Sequence, residues 1–168
     1  MQKNKFNNFF RESAINYWPQ ECEANDSFYL WFVAQSIAES GLDVRAVSRV
    51  GACGLMQLMP ATWRDIKLYL HHLSEDIFDP KSNIEAGVWY DRFCWDRLSQ
   101  IPDLHERLLL SFASYNCGPT RAKKLLTEIG ASTFAEIKDR LPRETSFYVE
   151  RIVKFHGKCM QDIMAVAK

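Results

Sequence analysis

The sequence predicts a mainly α protein built as one domain. Apolar residues recur at helical spacing along most of the chain, and strand-like alternation is almost absent. Proline and glycine fall between the periodic segments, where helices begin and end. A length of 168 residues, with 47% hydrophobic and 13% aromatic content, is enough for one compact core. No internal repeat, low-complexity tract or linker rich in Gly, Pro and Ser divides the chain, so a single domain over residues 1–168 is expected.

The elements follow in order. A first helix is expected from about Asn7 to Tyr17, ending before Pro19 because proline disfavours helical geometry in the residue that precedes it. "NDSFYLWFVAQSIAESG" gives the next, with Asp26 or Ser27 as N-cap and Gly41 at the left-handed C-terminal position. Tyr29, Leu30, Val33, Ser36, Ile37 and Ser40 form one arc of that helix, and Phe32 and Glu39 fall within about 20° of each other at its edge. Pro60 opens a helix through "ATWRDIKLYL", and the Asp-Pro of "DPKSNIEAGVWYDRFCWDRL" opens another, with Ile84, Val88, Phe93 and Trp95 among its apolar residues. "DLHERLLLSFASYNCG" is the most hydrophobic segment and ends at Gly118 and Pro119. Two shorter helices and a long terminal one from "PRETSFYVERI" onward complete the chain.

Composition removes several classes of function. The 21 basic and 21 acidic residues cancel, leaving no overall field to draw the protein to nucleic acid or an anionic membrane. Cys22, Cys53, Cys94, Cys117 and Cys159 are odd in number and form no C-x-x-C pair, so neither a disulfide framework nor a zinc cluster is indicated, and they read as reduced, mostly core thiols. The start, "MQKNKFNNFFRES", lacks the apolar stretch of a secretory signal, and nothing approaches the roughly 18 apolar residues of a membrane span. A soluble chain made in the cytoplasm, without membrane insertion, is expected.

The chemistry centres on Glu39. A carboxyl near Phe32 and the helix end loses hydration, which disfavours its charged form and raises its pKa, the property of a general acid. A helix-terminal glutamate facing water is the plain alternative. After it comes "GLDVRAVSRVGACGLMQLMP", in which Gly51 and Gly54 permit positive φ and close backbone approach. Met56 and Gln57 then offer an adaptable apolar contact and a two-sided amide. A tight turn leading into a buried strand fits the same composition.

The run E-S, then A-V-S at Ala46 to Ser48, then G-A-C-G-L-M-Q-L-M-P-A-T from Gly51 to Thr62 resembles the signature of the soluble lytic transglycosylase (SLT) family, bacterial relatives of goose-type lysozyme. "DPKSNIEAG" matches that family's D-P-x-x-N-I-x-x-G segment, "SYNCGP" resembles A-Y-N-A-G-P, and "LPRETSFYVERI" resembles L-P-x-E-T-x-x-Y-V-x-x-I. The four motifs span Glu39 to about Val153 in the family's order, inside a motif-bearing core of about residues 26–156. Cys117 in place of the usual alanine, and Arg49-Val50 where proline with a small or polar residue is frequent, depart from the pattern without removing a reacting group.

The resemblance implies a lysozyme-like fold with a cleft between helical lobes, and Glu39 as the sole catalytic acid and base. It implies that Ser48 and Gln57 hydrogen-bond the sugar or its N-acetyl group, that Met56 lines the subsite floor, and that Tyr115 and Asn116 sit across the cleft, holding the carboxyl or the muramyl residue. Glu144 and Tyr148 would support the cleft from the last helix. Taken alone, Tyr115 also reads as a core hydroxyl and Glu144 as an acid favoured by the helix dipole. No cofactor or metal is implied; the expected partner is the peptidoglycan glycan strand, and a monomer is expected.

Most glycosidases use two carboxylates, whereas substrate-assisted enzymes dispense with the second. No second acid holds a convincing motif position, since Asp43 lies in an exposed-looking "GLD". The resemblance therefore implies cleavage of the β-1,4 bond between N-acetylmuramic acid and N-acetylglucosamine, with a 1,6-anhydro end formed. A goose-type lysozyme hydrolysing the same bond, a non-catalytic module that binds cell wall, and a thiol hydrolase using Cys53 or Cys117 with His71, His72, His105 or His156 are the rivals. Cys53 and Cys117 each interrupt a site motif and are expected to face the cleft. A cell-wall substrate without a visible export signal suggests a bacteriolytic phage enzyme (endolysin), a virion component, cargo of a secretion machine, or a chain without its natural leader. The short length, the initial Met and the unpaired cysteines favour the phage case.

Overall fold

The computed structural model describes residues 5–166. They form nine helices: α1 (Asn7–Tyr17), α2 (Pro19–Ala24), α3 (Leu30–Ser40), α4 (Pro60–Lys67), α5 (Pro80–Asp96), α6 (Leu104–Cys117), α7 (Pro119–Ile129), α8 (Phe134–Ile137) and α9 (Arg143–Val166). No β-strand occurs among the described residues; the extended backbone amounts to isolated antiparallel bridges of Val47 with Cys53 and Cys53 with Leu58. The mainly α expectation holds, and the segment after Glu39 is a hydrogen-bonded loop, not a turn into a strand.

Two helix starts differ from expectation. Proline at position 19 does end α1, but it also occupies the first position of the additional helix α2, where its missing N–H costs nothing. Helix α3 begins at Leu30 and not after Asp26 or Ser27, because the Asn25 side chain accepts the Ser27 N–H at 2.9 Å and the following residues bond three apart in a tighter turn. Gly41 ends α3 in the left-handed conformation with φ +63°. For α5 the Asp-Pro reading holds: the Asp79 side chain accepts the Ser82 N–H at 2.9 Å.

The described residues fall into two compact units. The first holds those up to Trp89 together with those from Ile152 onward. Helix α1 packs on α2 and α3 there. Trp18, Phe28 and Phe32 form an aromatic cluster with ring centroids 5.4–5.8 Å apart, and the Trp18 indole donates to the Val88 carbonyl at 3.3 Å. Trp31 of α3 stacks on His156 of α9 with centroids 3.6 Å apart. The second unit, Tyr90–Arg151, is built on α6, which packs against α7 and α8. Asp103 caps α6 by accepting the Glu106 N–H, and Glu106 in turn accepts the Phe134 N–H at 2.8 Å. Thr133 and Glu136 close a capping box at α8.

Candidate active site

In the first unit the residues of interest lie at the end of α3 and in the loop that follows. Glu39 occupies the last turn of α3 and is half-buried, with Phe32, fully buried, two turns upstream on the same face. The loop is fixed by side chains of α3 and α5 that bond to its backbone. Ser36 and Ser40, one turn apart on α3, both donate to the Leu55 carbonyl at 2.9 Å. Asn83 of α5, itself buried, spans both ends of its amide: its Oδ1 accepts the Met56 N–H at 2.8 Å, and its Nδ2 donates to the carbonyls of Cys53 at 3.2 Å and Ile77 at 2.8 Å. Gly54, at φ +78°, lies flat against that amide; a Cβ there would stand 2.6 Å from Asn83 Nδ2. Only glycine fits both the dihedral and the space.

Ser48 and Gln57 share this loop. The Ser48 Oγ accepts the Ala52 N–H at 3.0 Å, which leaves its own hydrogen to donate elsewhere. Gln57 has φ +47°, uncommon for a residue with a side chain, and its amide nitrogen donates to the carbonyls of Gly54 at 2.9 Å and Ala46 at 3.2 Å. A non-glycine residue held at positive φ by its own side chain is the kind of local strain that clusters at functional sites.

Met56 departs from expectation. It is 0% exposed, with its side chain packed onto Gly87 so closely that a Cβ there would lie 2.7 Å away. It therefore props the loop from beneath and does not form a surface for ligand. The apolar side chain that "MQLM" turns to solvent is Met59, 41% exposed. Cys53 departs too: it is buried and its Sγ donates to the Gly51 carbonyl at 3.3 Å.

The second unit holds the other four residues. Tyr115, half-buried near the end of α6, meets the ring of Tyr90 edge-on with centroids 5.2 Å apart. Asn116, next to it, accepts the Thr145 hydroxyl at 2.7 Å on its Oδ1. Glu144 is exposed on the first turn of α9, and Tyr148 is buried one turn later, suited to support and not to contact. Ser36, Ser40, Asn83 and Thr145 carry these arrangements and have no role assigned from sequence, although Ser40, Asn83 and Thr145 stand inside the family-like motifs.

Thiol chemistry finds no support. Burial pushes the thiols of Cys53 and Cys117 above their ordinary value, although Arg121 opposes the shift at Cys117, so neither is the thiolate that a nucleophile requires. His72 is engaged by the Glu85 carboxylate at 2.9 Å and His156 by the Trp31 ring. Among the described residues no group of three or more His, Cys, Asp or Glu gathers that could hold a metal ion.

The family profile described as the transglycosylase SLT domain matches residues 16–138. The chain belongs to that family. Among relatives, the membrane-bound lytic murein transglycosylase F of Vibrio cholerae is 32% identical over 139 residues, covering 79% of this chain and 25% of its own length. The soluble lytic murein transglycosylase of Escherichia coli is 28% identical over 123 residues, 70% of this chain and 18% of its own. The structure of the 70 kDa soluble lytic transglycosylase from Escherichia coli superposes with a TM-score of 0.69 at 23% identity, over 90% of this chain and 23% of that one, which establishes a shared fold. The chain spans about a quarter or less of the length of these relatives. No helix among the described residues is long and apolar enough to cross a membrane.

Proposed function

We propose that this SLT domain is a peptidoglycan lytic transglycosylase acting on the cell wall, with Glu39 as its one acid and base. The observation that carries the reading is a half-buried carboxyl on the last turn of α3, followed at once by a loop whose backbone is held in place by Ser36, Ser40 and Asn83. The names of the family and of the similar proteins agree with it. The nearest other acid in the loop, Asp43, is exposed and accepts the Arg45 N–H at 2.9 Å, so it serves the turn.

In this reading Glu39 gives its proton to the oxygen between N-acetylmuramic acid and N-acetylglucosamine, and the bond from that oxygen to muramyl C1 breaks with help from the N-acetyl carbonyl. Glu39, now a carboxylate, takes the proton of the muramyl C6 hydroxyl as its oxygen bonds to C1. The acid is restored, a 1,6-anhydro ring closes, and no water is consumed. Ser48, Gln57, Tyr115 and Asn116 supply hydrogen-bonding groups for the glycan, Met59 an apolar contact, and Glu144 and Tyr148 support from α9.

Digestion of purified peptidoglycan by wild type and Glu39→Gln, followed by mass spectrometry, tests this. Wild type should release muropeptides one water lighter than reducing-end products, and the variant should lose about 10²–10⁴-fold in rate. Reducing ends alone would show a hydrolase of the goose-type kind; an unchanged Glu39→Gln rate would leave a binding module.

A further inference from the structure

Thr145 carries a contact that the reaction as written does not use. It sits in the first turn of α9, is 1% exposed, and its hydroxyl donates to Asn116 Oδ1 at 2.7 Å across 29 residues of sequence. A threonine within a helix can turn its hydroxyl back to a carbonyl of the preceding turn, but the first turn of α9 has no such turn before it. Here the hydrogen is directed out of α9 to a side chain of α6. The choice has a chemical consequence, because an asparagine amide is two-sided and rotates broadly about its last torsion, presenting either a carbonyl or an NH2 group. With the carbonyl engaged by Thr145, the amide is fixed in the flip that turns its NH2 donors to the other side.

We propose that Thr145 is a positioning residue that sets the Asn116 amide so that its NH2 group is offered to an acceptor oxygen of an N-acetylated sugar, such as a hydroxyl or the acetyl carbonyl. The inference rests on the reading of Asn116 as a glycan-contacting residue. Burial makes the arrangement firm, since a hydroxyl with no access to water keeps the partner it has.

The test compares Thr145→Val, which keeps the shape and removes the hydroxyl, with Thr145→Ser, which keeps the hydroxyl, and with Asn116→Ala alone and combined with Thr145→Val. Turnover of soluble N-acetylated glycan strands gives KM and kcat, binding of a chitin tetrasaccharide gives an affinity without turnover, and thermal melting reports the fold. Thr145→Val should raise KM and weaken tetrasaccharide binding about tenfold while kcat stays within about twofold, the scale of one misdirected hydrogen bond. Thr145→Ser should restore both, and the double variant should be no worse than Asn116→Ala. Equal losses for Val and Ser, or losses that add in the double variant, would overturn the positioning role. Unchanged binding and kinetics in Asn116→Ala would overturn it together with the reading of Asn116, while cleavage through Glu39 would stand. Tetrasaccharide binding that responds as expected in a protein that cleaves nothing would support the positioning role and remove the proposed reaction alone.

Discussion

The loop after α3 and the junction of α6 with α9 hold their polar groups by opposite means. In the loop, side chains of α3 and α5 grip the backbone: Ser36 and Ser40 hold the Leu55 carbonyl, and Asn83 holds Met56 and Cys53 and ties them to Ile77, just ahead of α5. At the junction, one side chain grips another, Thr145 on Asn116. A loop of this kind has no regular structure to fall back on, so its shape is only as firm as its clips. A helix end keeps its shape when a side-chain contact is lost. Damage in the loop should therefore move stability and activity together, whereas damage at the junction should move one contact and leave the fold.

Asn83→Leu is the strongest way to break that contrast. It strips partners from one buried N–H and two carbonyls at once, and it leaves Gly54 facing a larger side chain in a space where even a Cβ has no room. We expect a loss of about 3–5 kcal/mol in chemical denaturation and a collapse of turnover in parallel. A stable variant with altered turnover, or a destabilised one with full activity at low temperature, would mean that the loop keeps its shape without Asn83.

The same contrast marks what could be read from sequence. Helix existence was legible nearly everywhere because periodicity, Pro19, Pro60, Gly118 and Pro119 are local signals. The start of α3 is not legible because the Asn25 turn competes with two equally good caps one and two residues later. Helix α2 is hidden in the sequence because a proline ends one helix and begins another with the same residue. Within the site, Glu39 and Gln57 stood out by motif and position. Met56 and Met59 could not be told apart, since a loop without periodicity does not reveal which of two methionines faces the core; only the approach to Gly87 decides it. Asn83 and Thr145 hid for a related reason: a buried polar side chain is recognisable by its partners, and those lie 27 and 29 residues away in sequence.

Ser36 and Ser40 sharpen the comparison at intermediate scale. Both hydroxyls converge on one acceptor, so either serine alone keeps the Leu55 carbonyl bonded. Ser36→Ala and Ser40→Ala should each cost about 0.5–1 kcal/mol, and the pair about 2–3 kcal/mol, more than the sum because only the double variant orphans a buried carbonyl. Urea denaturation of the four proteins measures the coupling. Strictly additive losses would indicate that Leu55 finds another donor, and the loop would then depend on Asn83 alone.

The smallest effect separates the two regions by pH. Cys53 in the loop and Cys117 at the end of α6 both have thiols raised above the ordinary value of 9.0 by burial, with Arg121 pulling against the shift only at Cys117. A thiol is neutral when protonated, so a raised value means that the folded state holds the proton more tightly than the unfolded chain. Its contribution to stability is fully present below about pH 9 and is lost as pH rises through the higher folded value. Ionising Cys53 also removes the hydrogen it gives to Gly51, a bond of the loop's own backbone, whereas Cys117 faces the Gly118 carbonyl only at 3.8 Å. Melting temperatures followed from pH 8 into the alkaline range should therefore fall less steeply in Cys53→Ala than in wild type, and Cys117→Ala should flatten the decline less. The buried Cys94, raised well above 9.0, supplies a background slope that both variants retain. An equal flattening from Cys53→Ala and Cys117→Ala would mean that burial alone governs both thiols and that the backbone bond in the loop adds nothing, which would weaken the distinction between a loop held by its clips and a helix end that holds itself.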